Sequence, residues 1–303
     1  MLLHEYSEPL TACRLFSYAC STAIMLDYLS PRPGLAYIGS KRTDIPGLSF
    51  IVFSSAANNA CLYACQAGYL FAHMAGYSGL TTLWRRAIEE LAWLGNPAMG
   101  SLLLLVFQAG GLGCSIGRYG ADKLEYVMGC VKSLAEHSGV EAAKDFYRVL
   151  FTLSPSYLYR IEWDGLPDAS TPTSLDDIES RGIEFKELAC KASLYDQVLG
   201  DLCRGMEYSL GLIYSILRDK MEEGLLKAII QATLESVEIL GDFVLYRKTG
   251  YRQLNPLIAS HDKEVDTVLA LLRAGPSSIA DLVVNAVARL VYEALSSRST
   301  LPL

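Results

Sequence analysis

Apolar residues recur every three to four positions along most of this chain, which predicts helices over nearly its whole length. Residues 6 to 29 place Tyr6, Leu10, Leu15, Tyr18, Ala19, Thr22 and Leu26 near one 3.6-residue period. Residues 48 to 75 are apolar almost all round, so this helix is expected to be central and buried. Asn58, Asn59 and Gln66 inside it then need partners, either across to another helix or in a pocket. Thr81 or Thr82 is expected to cap a helix over 83 to 94. Its Arg85 and Arg86 stand early and its Glu89 and Glu90 late, the reverse of what the helix dipole favours, which points to an outside partner for the arginines. Further helices are expected over 100–109, 121–138, 140–152, 184–219 with a kink near Gly200 to Gly205, 221–239, 254–273 and 277–296. Gly110, Gly111, Gly113 and Gly117 are expected to break the chain. Strand signals are almost absent. The pattern predicts an all-α fold, one globular multi-helix domain over residues 1–303 built on a central buried helix bundle.

Two stretches interrupt the helical pattern. Residues 154–181 are rich in Pro, Gly, Ser, Thr and Asp, with one helical turn expected after Ser174. The other lies within Leu26–Ala56, where Pro31, Pro33 and Pro46 forbid helix between two apolar runs. That loop carries Arg32, Lys41, Arg42 and Asp44, and a rigid charged loop between apolar helices is a place for chemistry.

Hydrophobic residues make up 51% of the chain and charged residues 19%, which excludes disorder and supplies a large core. A net charge of −7 argues against nucleic acid and against an anionic membrane surface. The apolar segment Ser101–Phe107 is far shorter than the roughly 20 residues of a spanning helix. The N-terminus has no basic region followed by an apolar run. The expectation is therefore a cytoplasmic protein without membrane or nucleic-acid partners, with room for a homodimer. Eight cysteines show neither C-x-x-C pairs nor zinc spacing with histidine and are expected to be reduced and buried, with disulfides of the kind thermophile cytoplasmic proteins carry as the alternative.

Three further stretches carry candidate chemistry. Gly95 to Gly100 is a glycine-bounded turn feeding a helix start, where free amides can hold an anion. Arg247-Lys248-Thr249-Gly250 offers two adjacent cations suited to phosphate. In Ala274 to Leu282, Ser277 or Ser278 reads as an N-cap with Asp281 in the first turn. No phosphate-loop, dinucleotide, nucleophile-elbow or zinc-protease motif is present.

In this order, the four stretches resemble the triphosphoribosyl-dephospho-CoA synthase family, and its divergent archaeal branch more than its bacterial enzymes. The resemblance rests on Asp27, Pro31-Arg32-Pro33-Gly34, Asp44 and, approximately, Phe53-Ser54-Ser55-Ala56. It continues through Asn96 to Gly100, Asp242 to Gly250 and Pro276 to Leu282, with a weaker match from Ile183 to Tyr195-Asp196. It implies a transferase in which a ribose 2′-hydroxyl of dephospho-CoA attacks C1′ of the ATP ribose and adenine leaves. By motif position it implies Asp44 and Asp281 as catalytic carboxylates or Mg²⁺ ligands, with Asp27 in support. Arg32, Lys41, Arg247 and Lys248 would meet phosphates, Asn96 the base or ribose, and Ser277-Ser278 would form the phosphate turn. ATP is then a substrate, Mg²⁺ the cofactor, and nucleotides the partners. Ala98-Met99 stands where bacterial members carry His-Lys, which keeps open a second reading: a protein of the same fold that binds a nucleotide or a partner without catalysis. Asp44, Asp281 and Arg247 are expected to lie together.

Overall fold

The computed structural model describes residues 7–32, 35–37, 47–74, 79–94, 98–153, 165–255, 269 and 275–298. Among these there is no strand. The chain opens with α1 (Ser7–Leu29) and α2 (Gly47–His73), continues through α3 (Leu80–Leu91) and reaches α4 (Met99–Tyr119). Next come α5 (Leu124–Glu136), α6 (Gly139–Leu153), α7 (Ser174–Arg181), α8 (Phe185–Ala192) and α9 (Gln197–Cys203). A π-helical segment (Glu207–Ile213) leads into α10 (Tyr214–Asp219), followed by α11 (Leu225–Leu240), α12 (Phe243–Thr249) and α13 (Ser277–Ser297). The expected helix over 254–273 falls largely outside the described residues.

The spine is α4, in which every residue from Ser101 to Ser115 is buried. The four glycines expected to break it do not. A Cβ on Gly113 would overlap the Cys65 carbonyl of α2, and one on Gly68 of α2 would overlap the carbonyl of Gly110. The glycines let two backbones touch, and the tertiary contact outweighs their low helix propensity. The uninterrupted helix has 21 residues, so α4 is long and apolar enough to span a membrane by length and composition, but it is wrapped by protein. Gly113→Ala is expected to force α2 and α4 apart and cost about 1–3 kcal/mol. Gly129→Ala, where a Cβ meets nothing within 4 Å, is expected to be neutral or to stabilise. Thermal denaturation of the two variants checks the contrast.

Centrality therefore belongs to α4 and not to α2. Along α2 one face stays in water, with Leu48, Ile51, Tyr63 and Leu70 exposed, Asn59 exposed, and Asn58 and Gln66 only half-buried. The helix expected at 83 begins at Leu80 with Gly79 as its N-cap in left-handed backbone. Thr82 does not cap it; its hydroxyl donates to Asp145 of α6 at 2.6 Å. Asp145 also takes Arg85 Nε at 2.9 Å, so that arginine's outside partner is an internal carboxylate. The long helix expected over 184–219 breaks twice, once at Asp196 in extended backbone and once at Gly205-Met206, two residues in left-handed backbone. Buried Asp201 accepts the amides of Tyr208 and Ser209 and fixes the π-helical segment that follows.

All eight cysteines are paired, contrary to the expectation of free thiols. Cys13–Cys65 and Cys20–Cys61 join α1 to α2, Cys114–Cys130 joins α4 to α5, and Cys190–Cys203 joins α8 to α9. Each pair lies between packed helices at Cα separations of 5.5, 6.8, 5.9 and 4.9 Å, within the range a disulfide bridges.

Candidate active site

The starts of four helices meet at one end of the bundle. Asp242 is the N-cap of α12, where one oxygen accepts the Leu245 amide at 2.8 Å. Its other oxygen accepts the Ile279 amide of α13 at 2.9 Å. One carboxylate thus closes two helix starts. Ser277 and Ser278 do not cap α13; Pro276 occupies the N-cap position and offers no side-chain bond. Ser277 is half-buried with its amide on the Gly275 carbonyl, and Ser278 is buried. Burial pushes the Asp242 carboxyl up to about 6, against the pull of the surrounding amides. Gln197, at the start of α9, bridges to the same place. Its Nε2 donates to the Gly241 carbonyl at 2.9 Å and its Oε1 accepts the Phe243 amide at 3.1 Å.

Asp281 lies one turn into α13 and faces the start of α4. Ser101 Oγ donates to its Oδ1. The bare backbone of Gly100 makes room for the other oxygen, since a Cβ there would overlap Oδ2. Trp84 Nε1 holds the adjacent Met99 carbonyl at 2.9 Å and so fixes this end of α4. Burial first, then the negative charges of Asp27 and Asp196, push the Asp281 carboxyl up to about 8.

Asp27 closes α1 and is ion-paired with Arg32. Arg32 also donates to the Asp27 carbonyl at 3.1 Å and to Thr233 Oγ1 of α11 at 3.3 Å. With 1% of its surface exposed, Arg32 is a brace that positions Asp27, not a cation presented to a ligand. Asp196 is the N-cap of α9 and accepts the Leu199 amide at 2.9 Å. Burial raises its carboxyl, and the nearby Arg247 charge works against that. Arg247, on the last turn of α12, donates to the Tyr195 carbonyl at 2.6 Å. Lys248 beside it is half-buried.

Asp27, Asp281 and Arg247 are thus brought to one place around Asp196. Asp44, Lys41 and Asn96 lie outside the described residues. Three participants were not singled out from the sequence as site residues: Ser101, Asp196 and Asp242. Asp196 ends a Tyr-Asp pair and Asp242 opens the Arg-Lys stretch, so both had a signal, whereas Ser101 had none. Among the described residues, no three His, Cys, Asp or Glu side chains could together hold a metal. The oxygen donors present, crowded enough to repel, do suit a magnesium ion that takes one or two carboxylates and completes its shell with phosphates and water.

Residues 13–297 match the sequence family described as ATP:dephospho-CoA triphosphoribosyl transferase. The chain belongs to this family. Among solved structures, one from Archaeoglobus fulgidus, described as a candidate triphosphoribosyl-dephospho-CoA synthase, shares the fold at a TM-score of 0.55 and 17% identity. The similarity covers 78% of this chain and 95% of that one. No curated protein matches the chain. At the start of α4, Ala98 and Met99 are half-buried and carry no titratable group.

Proposed function

We propose that this site transfers the triphosphoribosyl group of ATP to the ribose 2′-hydroxyl of 3′-dephospho-CoA or a closely related acceptor. The observation that carries the reading is the Ser101–Asp281 contact. It brings the starts of α4 and α13 together beside Asp27, Asp196 and Arg247, which the sequence resemblance singles out or, for Asp196, matches more weakly. The new bond joins the acceptor O2′ to C1′ of the ATP ribose, and the bond from C1′ to adenine N9 breaks. The hydroxyl proton leaves the acceptor and a proton reaches the departing adenine, so the balance closes. Asp27, oriented by Arg32, is the carboxylate assigned to take the hydroxyl proton. Displacement at this carbon has oxocarbenium character, and neighbouring carboxylates stabilise it. The N-terminal dipoles of α4 and α13, with Arg247 and Lys248, favour the triphosphate.

Asp281 and Asp196 are the described carboxylates assigned to Mg²⁺, with Asp44 from the loop as the further ligand. When bound, the ion supplies positive charge to the triphosphate. This assignment has a pH signature. A carboxyl raised to about 8 binds its proton more tightly folded than unfolded. Its contribution to stability is full below the ordinary Asp value of about 3.9 and is lost as pH rises through the folded value. The thermal midpoint of the magnesium-free protein is therefore expected to fall between these pH values, and to fall less with Mg²⁺. Calorimetry at pH 7 in buffers of different ionisation enthalpy is expected to show release of about one proton per Mg²⁺ bound. Asp281→Asn should abolish that release.

Adenine release from ATP and dephospho-CoA, followed by chromatography, tests the transferase reading. The second reading, nucleotide binding without turnover, is favoured by one feature: Ala98-Met99 in place of His-Lys. A thermal shift with ATP and no adenine would select it.

A further inference from the structure

The 27 residues of α2 contain no Asp, Glu, Lys or Arg, yet one face of the helix stands in water. From Leu48 through Ile51, Ser55, Asn59, Tyr63, Gln66 and Leu70 to Met74, the stripe repeats every three or four residues. Its large apolar members are strongly exposed: Leu48 62%, Ile51 56%, Tyr63 57%, Leu70 53% and Met74 61%. A chain of net charge −7 has put almost none of its charge on this face. Charge depletion with aromatic and aliphatic enrichment marks the centre of an interface more than free surface.

The order of residues says what covers it. Read from both ends, the stripe is chemically palindromic about a point near residue 61: Leu48 mirrors Met74, Ile51 mirrors Leu70, Ser55 mirrors Gln66, and Asn59 mirrors Tyr63. A second copy of the helix laid antiparallel would set apolar on apolar at the two ends and a hydroxyl against an amide in the middle, Ser55 on Gln66 and Tyr63 on Asn59. That is the self-complementarity an isologous twofold contact requires. A helix of this length runs about 40 Å and presents a strip about 10 Å wide, giving roughly 800 Å² in total from the pair. The neighbouring helix α1 also carries exposed Leu10 and Tyr18. Cys13–Cys65 and Cys20–Cys61 hold α1 antiparallel to α2, which sets exposed Tyr18 level with Tyr63. The strip of α2 alone is below the roughly 1,200 Å² that stable interfaces bury, so the dimer needs the neighbouring exposed residues of α1 as well.

We propose that the protein is a twofold homodimer in which α2 of one copy packs antiparallel against α2 of the other. The inference is independent of the transferase reading. Light scattering after size exclusion at micromolar concentration is expected to give twice the chain mass for the wild type. Ile51→Glu with Leu70→Glu is expected to halve it with unchanged helical circular dichroism. Geometry is read separately by bismaleimide cross-linking of single-cysteine additions. Asn59→Cys, near the axis, cross-links to itself. Leu48→Cys does not, but it cross-links to a copy carrying Met74→Cys. A monomeric wild type, a dimer that survives both glutamates, or Leu48→Cys linking to itself would overturn the proposal. So would a monomer that floats with phosphatidylcholine vesicles, since α2 is also long and apolar enough to span a membrane by length and composition.

Discussion

Asp281→Asn is expected to lower adenine release by about 10²–10³-fold while raising the thermal midpoint at pH 8. Both effects come from one arrangement. The carboxyl is crowded by Asp27 and Asp196 and desolvated, so its ionised form is held at a cost in the folded protein. An amide of the same shape removes that repulsion and still accepts the Ser101 hydroxyl. It cannot offer a charged oxygen to a cation or to a sugar gaining positive charge. Stability gained as activity is lost is the signature of a group kept for function. Gly100→Ala gives the contrasting result, since its methyl would overlap Asp281 Oδ2. It should lose activity and stability together. A variant Asp281→Asn less stable than wild type at pH 8 would mean that the carboxylate is structural.

Asp242→Ala is expected to produce the largest loss of stability of any substitution at this end of the bundle, about 2–4 kcal/mol. Its two oxygens cap α12 and α13 at once, through Leu245 and Ile279. Truncation leaves the amides of both helix starts buried without an acceptor. Those two helices carry Arg247 and Asp281, so activity should fall with the fold. Asp196→Ala removes a cap from α9 alone and is expected to cost about half as much. Denaturant unfolding of the two variants against the wild type measures both values. Equal losses would show that Asp242 does not bind the two helix starts as one unit.

Most helices were legible because their apolar period is strong, as in α3 and α6; in α1 the helix was legible but not its buried face, since Leu10, Tyr18 and Thr22 stand in water while Cys13, Phe16, Cys20 and Ile24 are buried. The errors have separate physical causes. The glycines of α4 were read as breaks, because a sequence window cannot see that the Cys65 and Tyr69 backbone of α2 comes against them. The long helix over 184–219 concealed the cap at Asp196, since Asp inside an apolar run looks like a helix residue until its side chain turns back to Leu199. Thr82 and Arg85 found Asp145 some sixty positions away, at separations no local pattern reports. Pairing of the cysteines, at sequence separations of 52, 41, 16 and 13, follows from which helices pack and not from spacing. Of the residues singled out by type, Asp27, Arg247 and Asp281 lie together around Asp196. Arg32 shows the limit of type alone: a loop arginine reads as a phosphate contact, but burial against Thr233 makes it a brace. Asp242 was visible as the first residue of a motif. Its double cap was not, because the second helix it closes begins 35 residues later.

The central claim is triphosphoribosyl transfer, and the most direct measurement is the mass of the product formed from ATP, Mg²⁺ and dephospho-CoA. The account predicts one new species equal to the sum of ATP and dephospho-CoA less adenine, with free adenine in equal amount and neither formed by Asp281→Asn. ATP that binds and stays intact, or is cleaved to ADP and phosphate with no adenine released, would contradict it.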